Sequence, residues 1–289
     1  MRLCKRFVND KRGSIFEYVI LLSLVGVIAV LIFPHLKVFM VETFNKSAEN
    51  VAIGINGGGF SNDKPGNNNG SGIVENEYKF KFDGTNYVQL SDKLMDFGSG
   101  NNDFSLEGWF EINGTKNQDI FAKNGSKPNE NQLILGVFRN SYHISTGFAI
   151  EFEHYNASLP VVFNKKVHLA WVVEKNVFKL YENGTKVWEE AVGSRNTYSK
   201  EAAPTLGMET DNGLLVPSDY FVGIMHQVRL YNRALTATEV QNNMSGKTVR
   251  SNLQAEHLFD DGPGRKIKDY SGNGNDAYIV GNEKWELEK

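Results

Sequence analysis

The stretch Asp269-Tyr-Ser271-Gly-Asn273-Gly-Asn275-Asp276 carries an oxygen-bearing side chain at nearly every second position, with glycines between them. Asp269, Asn273, Asn275 and Asp276 could wrap a calcium ion, because a hard cation gathers about six to eight oxygens from a loop able to bend around it. Asp260 and Asp261 lie near enough in sequence to assist. The same residue types also build plain turns, since Asn and Asp hydrogen-bond their own backbone and glycine tolerates positive φ. The sequence leaves both readings open.

A second carboxylate stands where none is expected. Glu17 is the only charge between Ser14 and Phe33, in a run otherwise apolar enough to span a bilayer. An ionised group in that setting is costly unless shallow, protonated or paired, and so marks function by default. Signs of catalysis are sparse by contrast. Glu151-Phe-Glu153 is the nearest approach to the paired carboxylates of a glycoside hydrolase, and it reads more simply as charge on an exposed strand edge. The zinc-protease, nucleophile-elbow and phosphate-loop spacings are absent, and the six histidines are scattered without metal-ligand spacing. The chain is therefore expected to bind rather than to catalyse. A formal net charge of −3 gives nucleic acid no general attraction. The single cysteine, Cys4, rules out an intrachain disulfide.

The elements that would position these groups fall into four segments. Residues 1–13 form a basic leader, with Arg2, Lys5, Arg6, Lys11 and Arg12 against Asp10. This predicts a cytoplasmic N-terminus and an external C-terminal part. A helix is expected over 14–55. Its apolar run is longer than the ~7–15 residues of a cleaved secretory signal, and helical spacing persists past Pro34 through Leu36, Phe39, Met40 and Phe44. Residues 56–74, which open with NGGGFSNDKPGNNNGSG from Asn56 to Gly72, read as a flexible linker. Residues 75–289 then carry one strand signal after another.

The motif RGSIFEYVILLSLVGVIAVL resembles the N-terminus of Flp-type (Tad, type IVb) pilins, through Arg12-Gly13, the Glu17-Tyr18 pair and the apolar run to Phe33. The resemblance implies cleavage between Gly13 and Ser14 by a membrane-embedded prepilin peptidase. It also implies packing of the helix with identical or related pilin subunits, Glu17 neutralising a neighbour's new amine and Tyr18 beside it. Glu17 stands fourth after Gly13 where the family usually has it fifth, so cleavage after Arg12 is the alternative.

In the C-terminal segment, YKFKF (78–82), FSLEGWFEI (104–112), QLILGVF (132–138) and FAIEFE (148–153) carry strand patterns. VHLAWVV (167–173) reads as a strand covered on both faces. VFKLYENGTKVWEE holds Asn183-Gly184 between two strand-like runs, a hairpin signal, and 219–232 reads as another long strand. Thr236 and Glu239 form a capping box before one short helix, with Gly246 as its stop. Many strands, dense turns and one helix predict a two-sheet sandwich.

VHLAWVVEKNVFKLYENGTKV and YFVGIMHQVRLYNRALTATEV are similar to the strands of laminin-G-like, concanavalin A-like lectin domains. FSLEGWF resembles their early strand, with Trp109 in the core position. The tail LFDDGPGRKIKDYSGNGNDAYIVGNEKW is similar to a segment that often precedes such domains. The resemblance implies a jelly-roll β-sandwich that binds carbohydrate or protein, often with calcium. His226-Gln227 replaces the Asp-Glu usual in the closing motif, which weakens a calcium site there and makes His226 a structural strand residue. Loops at Asn101-Asn102-Asp103, Tyr142-His143 and Asp211-Asn212 are candidates for sugar contact.

The combined expectation is a mainly β, concanavalin A-like sandwich preceded by a long N-terminal transmembrane or pilin helix. It would be held in the cytoplasmic membrane before assembly and then displayed at the cell surface for adhesion to a glycan or surface protein. A signal-anchored binding protein outside any filament is the alternative, and a carbohydrate-active enzyme on the same fold is a second.

Overall fold

The computed structural model describes residues 78–100, 102–114, 117–123, 133–147, 152–191, 203–211 and 216–287. The leader, helix and linker expectations, with Gly13, Ser14, Glu17 and Tyr18, lie outside these residues. Among the described residues no helix is long and apolar enough to cross a membrane.

Alternation along FSLEGWFEI shows how the sheets form. Phe104, Leu106, Phe110 and Ile112 are fully buried between the layers, while Trp109 and Glu111 point the other way and stay partly exposed. Period-two patterning of this kind commits a strand to one register, because a one-residue slip would turn every phenylalanine to solvent. This corrects the expectation for Trp109. The core tryptophan is Trp171, fully buried, with Phe110 edge-on to it at 6.0 Å.

The strands, in chain order, are β1 (Tyr78–Asp83), β2 (Tyr87–Gln89), β3 (Phe104–Ile112), β4 (Gln118–Lys123), β5 (Leu133–Phe138), β6 (Ser141–Gly147), β7 (Phe152–Pro160), β8 (Lys166–Glu174) and β9 (Val177–Glu182). They continue with β10 (Thr185–Ala191), β11 (Thr205–Leu206), β12 (Glu209–Asp211), β13 (Val216–Ser218), β14 (Val222–Tyr231), β15 (Leu253–His257), β16 (Lys266–Ile267), β17 (Ala277–Val280) and β18 (Trp285–Leu287). One sheet has the order β10-β9-β8-β3-β14-β1-β18, with β15 also beside β14. The second runs β16-β17-β2-β11-β4-β5-β6-β7, and β12 pairs only with β13. β1 and β15 share one edge of β14 end to end: β1 pairs with Val222–Ile224 and β15 with Val228–Tyr231.

Side chains from both large sheets meet in one core. Phe82, Phe110, Trp171 and Val228 come from the first, and Val88, Phe121, Leu135 and Ile144 from the second. Phe82 is packed edge-on by Phe80, Phe221 and Phe259 at 5.0, 5.5 and 6.0 Å, contacts worth about 0.5–1.5 kcal/mol each beyond burial.

The outer face of the first sheet carries a smaller apolar cluster. Ala170, Val172, Tyr181 and Tyr231 are roofed there by Leu235 and Val240, Val240 coming from helix α1 (Ala237–Met244). This roof is why VHLAWVV, His168 apart, is apolar on both faces. The Thr236 hydroxyl accepts from Glu239 N–H, and the Glu239 carboxylate accepts from Thr236 N–H, so the capping box forms as read. At Asn183-Gly184 both residues take positive φ (48° and 75°), as a two-residue hairpin turn requires.

Candidate functional site

At one end of the sandwich, the β1–β2 turn, the segment after β3 and the approach to β14 enclose a cleft of about 610 Å³. Asp83, Asn113, Asn117, Gln118, Asp219 and Tyr220 line it. Its walls are tied together by side-chain amides. Gln118 donates through Nε2 to the Gly114 carbonyl (2.8 Å) and accepts at Oε1 from Val222 N–H (3.0 Å), so it joins the segment after β3 to the start of β14. Asn113 N–H donates to the Val222 carbonyl at 2.9 Å. Asn117 Oδ1 accepts from Arg139 N–H at 3.1 Å. Asn86 fixes the turn opposite, accepting from Asp83 N–H and donating to the carbonyls of Lys81 and Asn282.

Asn113 lines this cleft, but its Oδ1 is buried away from the opening as well as from bulk solvent and accepts no hydrogen bond. Burial pushes the Tyr220 phenol above its usual range, so it stays a hydroxyl. The Asp83 carboxyl is pushed up by burial but pulled further down by Lys284 and Thr85. It therefore remains an anion, bound to Lys284 at 2.5 Å.

Asp219 belongs to a second constellation as well. A carboxylate oxygen from each of Asp119, Glu209 and Asp219 lies within 4.8 Å of the other two. A bulge in β4, between Asp119 and Phe121, breaks the alternation and re-aims Asp119. Asp119 N–H in turn donates to the Asp219 carbonyl at 2.8 Å. Gly136 on β5 makes room for this: a Cβ there would meet the Gln118 carbonyl oxygen at 2.4 Å and Asp119 Oδ1 at 2.8 Å. Oxygens at these separations suit a hard cation with ligand distances of about 2.3–2.6 Å.

The loop read from sequence as a calcium candidate does come together, but its carboxylate oxygens are engaged elsewhere, while Asn275 Oδ1 is buried and accepts no hydrogen bond. Asp269 Oδ1 accepts from Glu256 N–H and Ser271 N–H, and Oδ2 from Ser271 Oγ and Asn275 N–H. Asp276 Oδ1 accepts from Asp269 N–H, and its Oδ2 pairs with Lys266 at 2.8 Å. Asn273 and Asn275 donate their amides to the Gln254 carbonyl. Asp261 accepts from Lys268 N–H. A cation there would have to displace these donors.

The remaining expectations divide. Tyr142 and His143, read as a loop, are buried on β6, which corrects their candidacy for sugar contact. His226 is the extra residue of a bulge where β14 passes Phe110 and Trp109. Asn102 and Asp103 border a second cleft of about 560 Å³ at the opposite end, with Asp96, Asn232 and Arg233. There Asp103 already accepts from Lys175 N–H, and Arg233 grips Glu239 through both terminal nitrogens. The backbone of Glu153 lies on β7; Glu151, Asn101 and Asn212 lie outside the described residues.

Asp119, Glu209, Asp219, Asn113 and Gln118 went unrecognised in the sequence as a site because they converge from four separate segments. The signal available was small. An Asp follows a Gln at the head of a strand whose next three residues are apolar, and another Asp stands three residues before Val222.

The Concanavalin A-like lectin/glucanases superfamily matches residues 82–241, more than half of the chain, and the chain belongs to that family. Among solved structures it is similar to a candidate carbohydrate binding protein from Bacteroides ovatus ATCC 8483, at 16% identity and a TM-score of 0.56. That match covers 74% of this chain, and the chain spans only 60% of the Bacteroides one. It is also similar to the native heptameric SAP-like pentraxin of Limulus polyphemus, at 14% identity, 73% and 97% coverage and a TM-score of 0.46. A third similar structure is the Ruminococcus gnavus IT-sialidase CBM40 bound to alpha2,3 sialyllactose, at 10% identity, 58% and 97% coverage and a TM-score of 0.45. No curated protein matches the chain. At these identities the shared property is the fold, and function has to be argued from the site.

Proposed function

We propose that the sandwich is a carbohydrate-binding module and that the cleft at the β1–β2 turn is where it takes its ligand. The observation that carries this reading is the lining: three amide side chains and a phenol around a preformed concavity, with Gln118 and Asn86 holding the walls. Sugars are recognised by such planar amides, which accept and donate in fixed directions, and by aromatic rings against their C–H faces. Family membership and the name of the Bacteroides relative agree with it. Isothermal titration against an oligosaccharide panel tests it, with Gln118→Ala and Tyr220→Ala expected to weaken any binding about tenfold or more.

Binding is favoured over turnover. A glycosidase acid needs a raised pKa, whereas Asp83 is held low by Lys284 and Thr85. Calcium enters the same proposal through Asp119, Glu209 and Asp219, which would hold the ion beside the cleft and brace the approach to β14.

The N-terminal segment supplies the display. A basic leader, Gly13-Ser14 and Glu17-Tyr18 at the head of an apolar run support a subunit processed by a prepilin peptidase and assembled through its helix into a surface filament. Mass spectrometry of the surface-exposed protein should find it starting at Ser14. Intact Met1 would leave a membrane-anchored binding protein instead.

A further inference from the structure

We infer that Trp109, Glu111 and Lys166 form a second saccharide subsite on the outer face of the first sheet, so that the protein takes a chain of sugars rather than a single ring; this rests on the carbohydrate reading of the cleft. Helix α1 and the residues before it roof only part of that face, over Ala170, Val172, Tyr181 and Tyr231. Trp109 lies beyond the roof, opposite His168, and stays partly exposed. Its indole is braced from the side. The buried His168 ring packs edge-on against it at 5.2 Å, and His168 is itself tied down, its backbone N–H donating to Asn183 Oδ1 at 3.1 Å.

The polar groups around this ring are uncommitted. Glu111 and Lys166 are cross-strand partners, yet among the described residues neither side chain makes a hydrogen bond or an ion pair. Lys166 Nζ instead lies 5.7 Å from the Trp109 ring centroid. Lys166 is exposed and ends a flexible stem, so a sugar arriving on the indole displaces its ammonium without breaking a bond. The indole N–H also donates to nothing among the described residues. A pyranose packed on the ring would find acceptors at Glu111 and donors at Lys166 and the indole N–H.

Register joins this patch to the cleft. Asp83 is opposite Val222, Asn113 N–H donates to the Val222 carbonyl, and all three residues line the cleft. Glu111 precedes Asn113 by two residues and Trp109 by four, so the indole's strand position is about 13 Å from the cleft's near wall. One ring cannot touch both, whereas an oligosaccharide laid along β3 can.

The test uses the full-length chain in a zwitterionic detergent with no sugar headgroup. It is titrated with gluco-, arabino- and chito-oligosaccharide ladders running from monosaccharide to hexasaccharide. Within a ladder that binds, affinity should rise about tenfold or more from the shortest bound member to the longest. Trp109→Ala should erase most of that rise and spare the shortest member, Trp109→Phe should restore part of it, and Lys166→Ala should remove a smaller share. Equal weakening of short and long members by Trp109→Ala would make the indole a structural brace and overturn the inference. A rise left whole in Trp109→Ala, or no rise at all, would also overturn it and leave the cleft reading standing. Affinity that depends on Trp109 but ignores Gln118→Ala and Tyr220→Ala would overturn the continuity with the cleft, and the cleft reading too. Binding to no member of any ladder would remove the carbohydrate reading and the inference with it.

Discussion

Nε of Arg229 lies 2.8 Å from Oε1 of Glu256, with both side chains about 95% removed from solvent (5% and 4% exposed). The same guanidinium reaches Glu107 Oε1 at 3.2 Å and the Thr248 hydroxyl at 2.8 Å. Register makes this row: Glu107, Arg229 and Glu256 are cross-strand partners on β3, β14 and β15. A buried cation between two buried anions cannot be removed cheaply, because Glu107 would keep only His168 at 3.5 Å and Glu256 the largely exposed Arg250 and Gln227, and neither carboxylate would regain water. Arg229→Met should therefore destabilise the domain by about 3–5 kcal/mol in urea unfolding. Arg250→Ala, which removes a largely exposed partner of Glu256, should cost about 1 kcal/mol or less.

His257 gives the fold a pH limit on the acid side. Its ring is fully buried, with Nδ1 3.2 Å from the Lys268 carbonyl, and burial pushes its pKa below the ordinary 6.5. Below that value the unfolded chain takes up a proton that the native state refuses. Stability is thus intact above pH 6.5 and declines as pH falls beneath it, by at most about 1.4 kcal/mol per pH unit from this group. Urea midpoints between pH 7.5 and 5 should show the slope, and His257→Phe should reduce it.

Glu239 acts at lower pH. Hydrogen bonds from Arg233 outweigh the opposing effect of burial and, with those from Thr236, bring its carboxyl down to about 2. A depressed acid contributes stability above its unfolded value near 4.5, and that contribution fades as pH falls toward 2. Thr236→Ala removes the reciprocal cap and should cost about 1 kcal/mol at neutral pH, read as a lower thermal midpoint.

Two carboxylate sites make opposite predictions for calcium. If Asp119, Glu209 and Asp219 hold the ion, calcium should raise the melting temperature of the unaltered chain, and Asp219→Asn should abolish the rise. Asp269→Ala should lower the melting temperature, because four donors lose their acceptor, yet leave any calcium-induced rise intact. Calorimetry with calcium and with chelator separates the two.

Gly136→Ala probes the bulge from behind. A methyl group 2.4 Å from the Gln118 carbonyl oxygen must push β5 from β4 or move the bulge that aims Asp119. The expected result is a loss of about 1–3 kcal/mol together with weakened binding of calcium and saccharide, measured by titration on protein that circular dichroism shows to be folded.

Local patterns were legible wherever one strand carried its own message. FSLEGWFEI gave β3 to the residue, VHLAWVV declared a strand covered twice, and Thr236 with Glu239 announced the only α-helix among the described residues. Trp109 was misplaced because Gly108 interrupts the pattern without shifting it: the two aromatics of Gly-Trp-Phe face opposite ways, and only Phe110 enters the core. β4 escaped notice because all six of its residues are buried, Lys123 included, and a bulge interrupts its alternation, so no period of two is visible. The rim cleft was illegible for a different reason. Its groups come from the ends of strands paired across more than a hundred residues, and no local pattern encodes which ends will meet.

β18 lies beside β1, with Tyr78, Lys79 and Phe80 opposite Leu287, Glu286 and Trp285. On a ribosome these strands appear at opposite ends of the domain's synthesis, so β1 waits with one edge bare while some two hundred residues are made. β15 and β17 likewise arrive late, one for each sheet. A chain broken off before Trp285 would expose that edge as a template for other strands, and a chain carried through closes it with β18. The order of synthesis thus makes β18 a clasp: closure of the β1 edge reports that the message was read through residue 287.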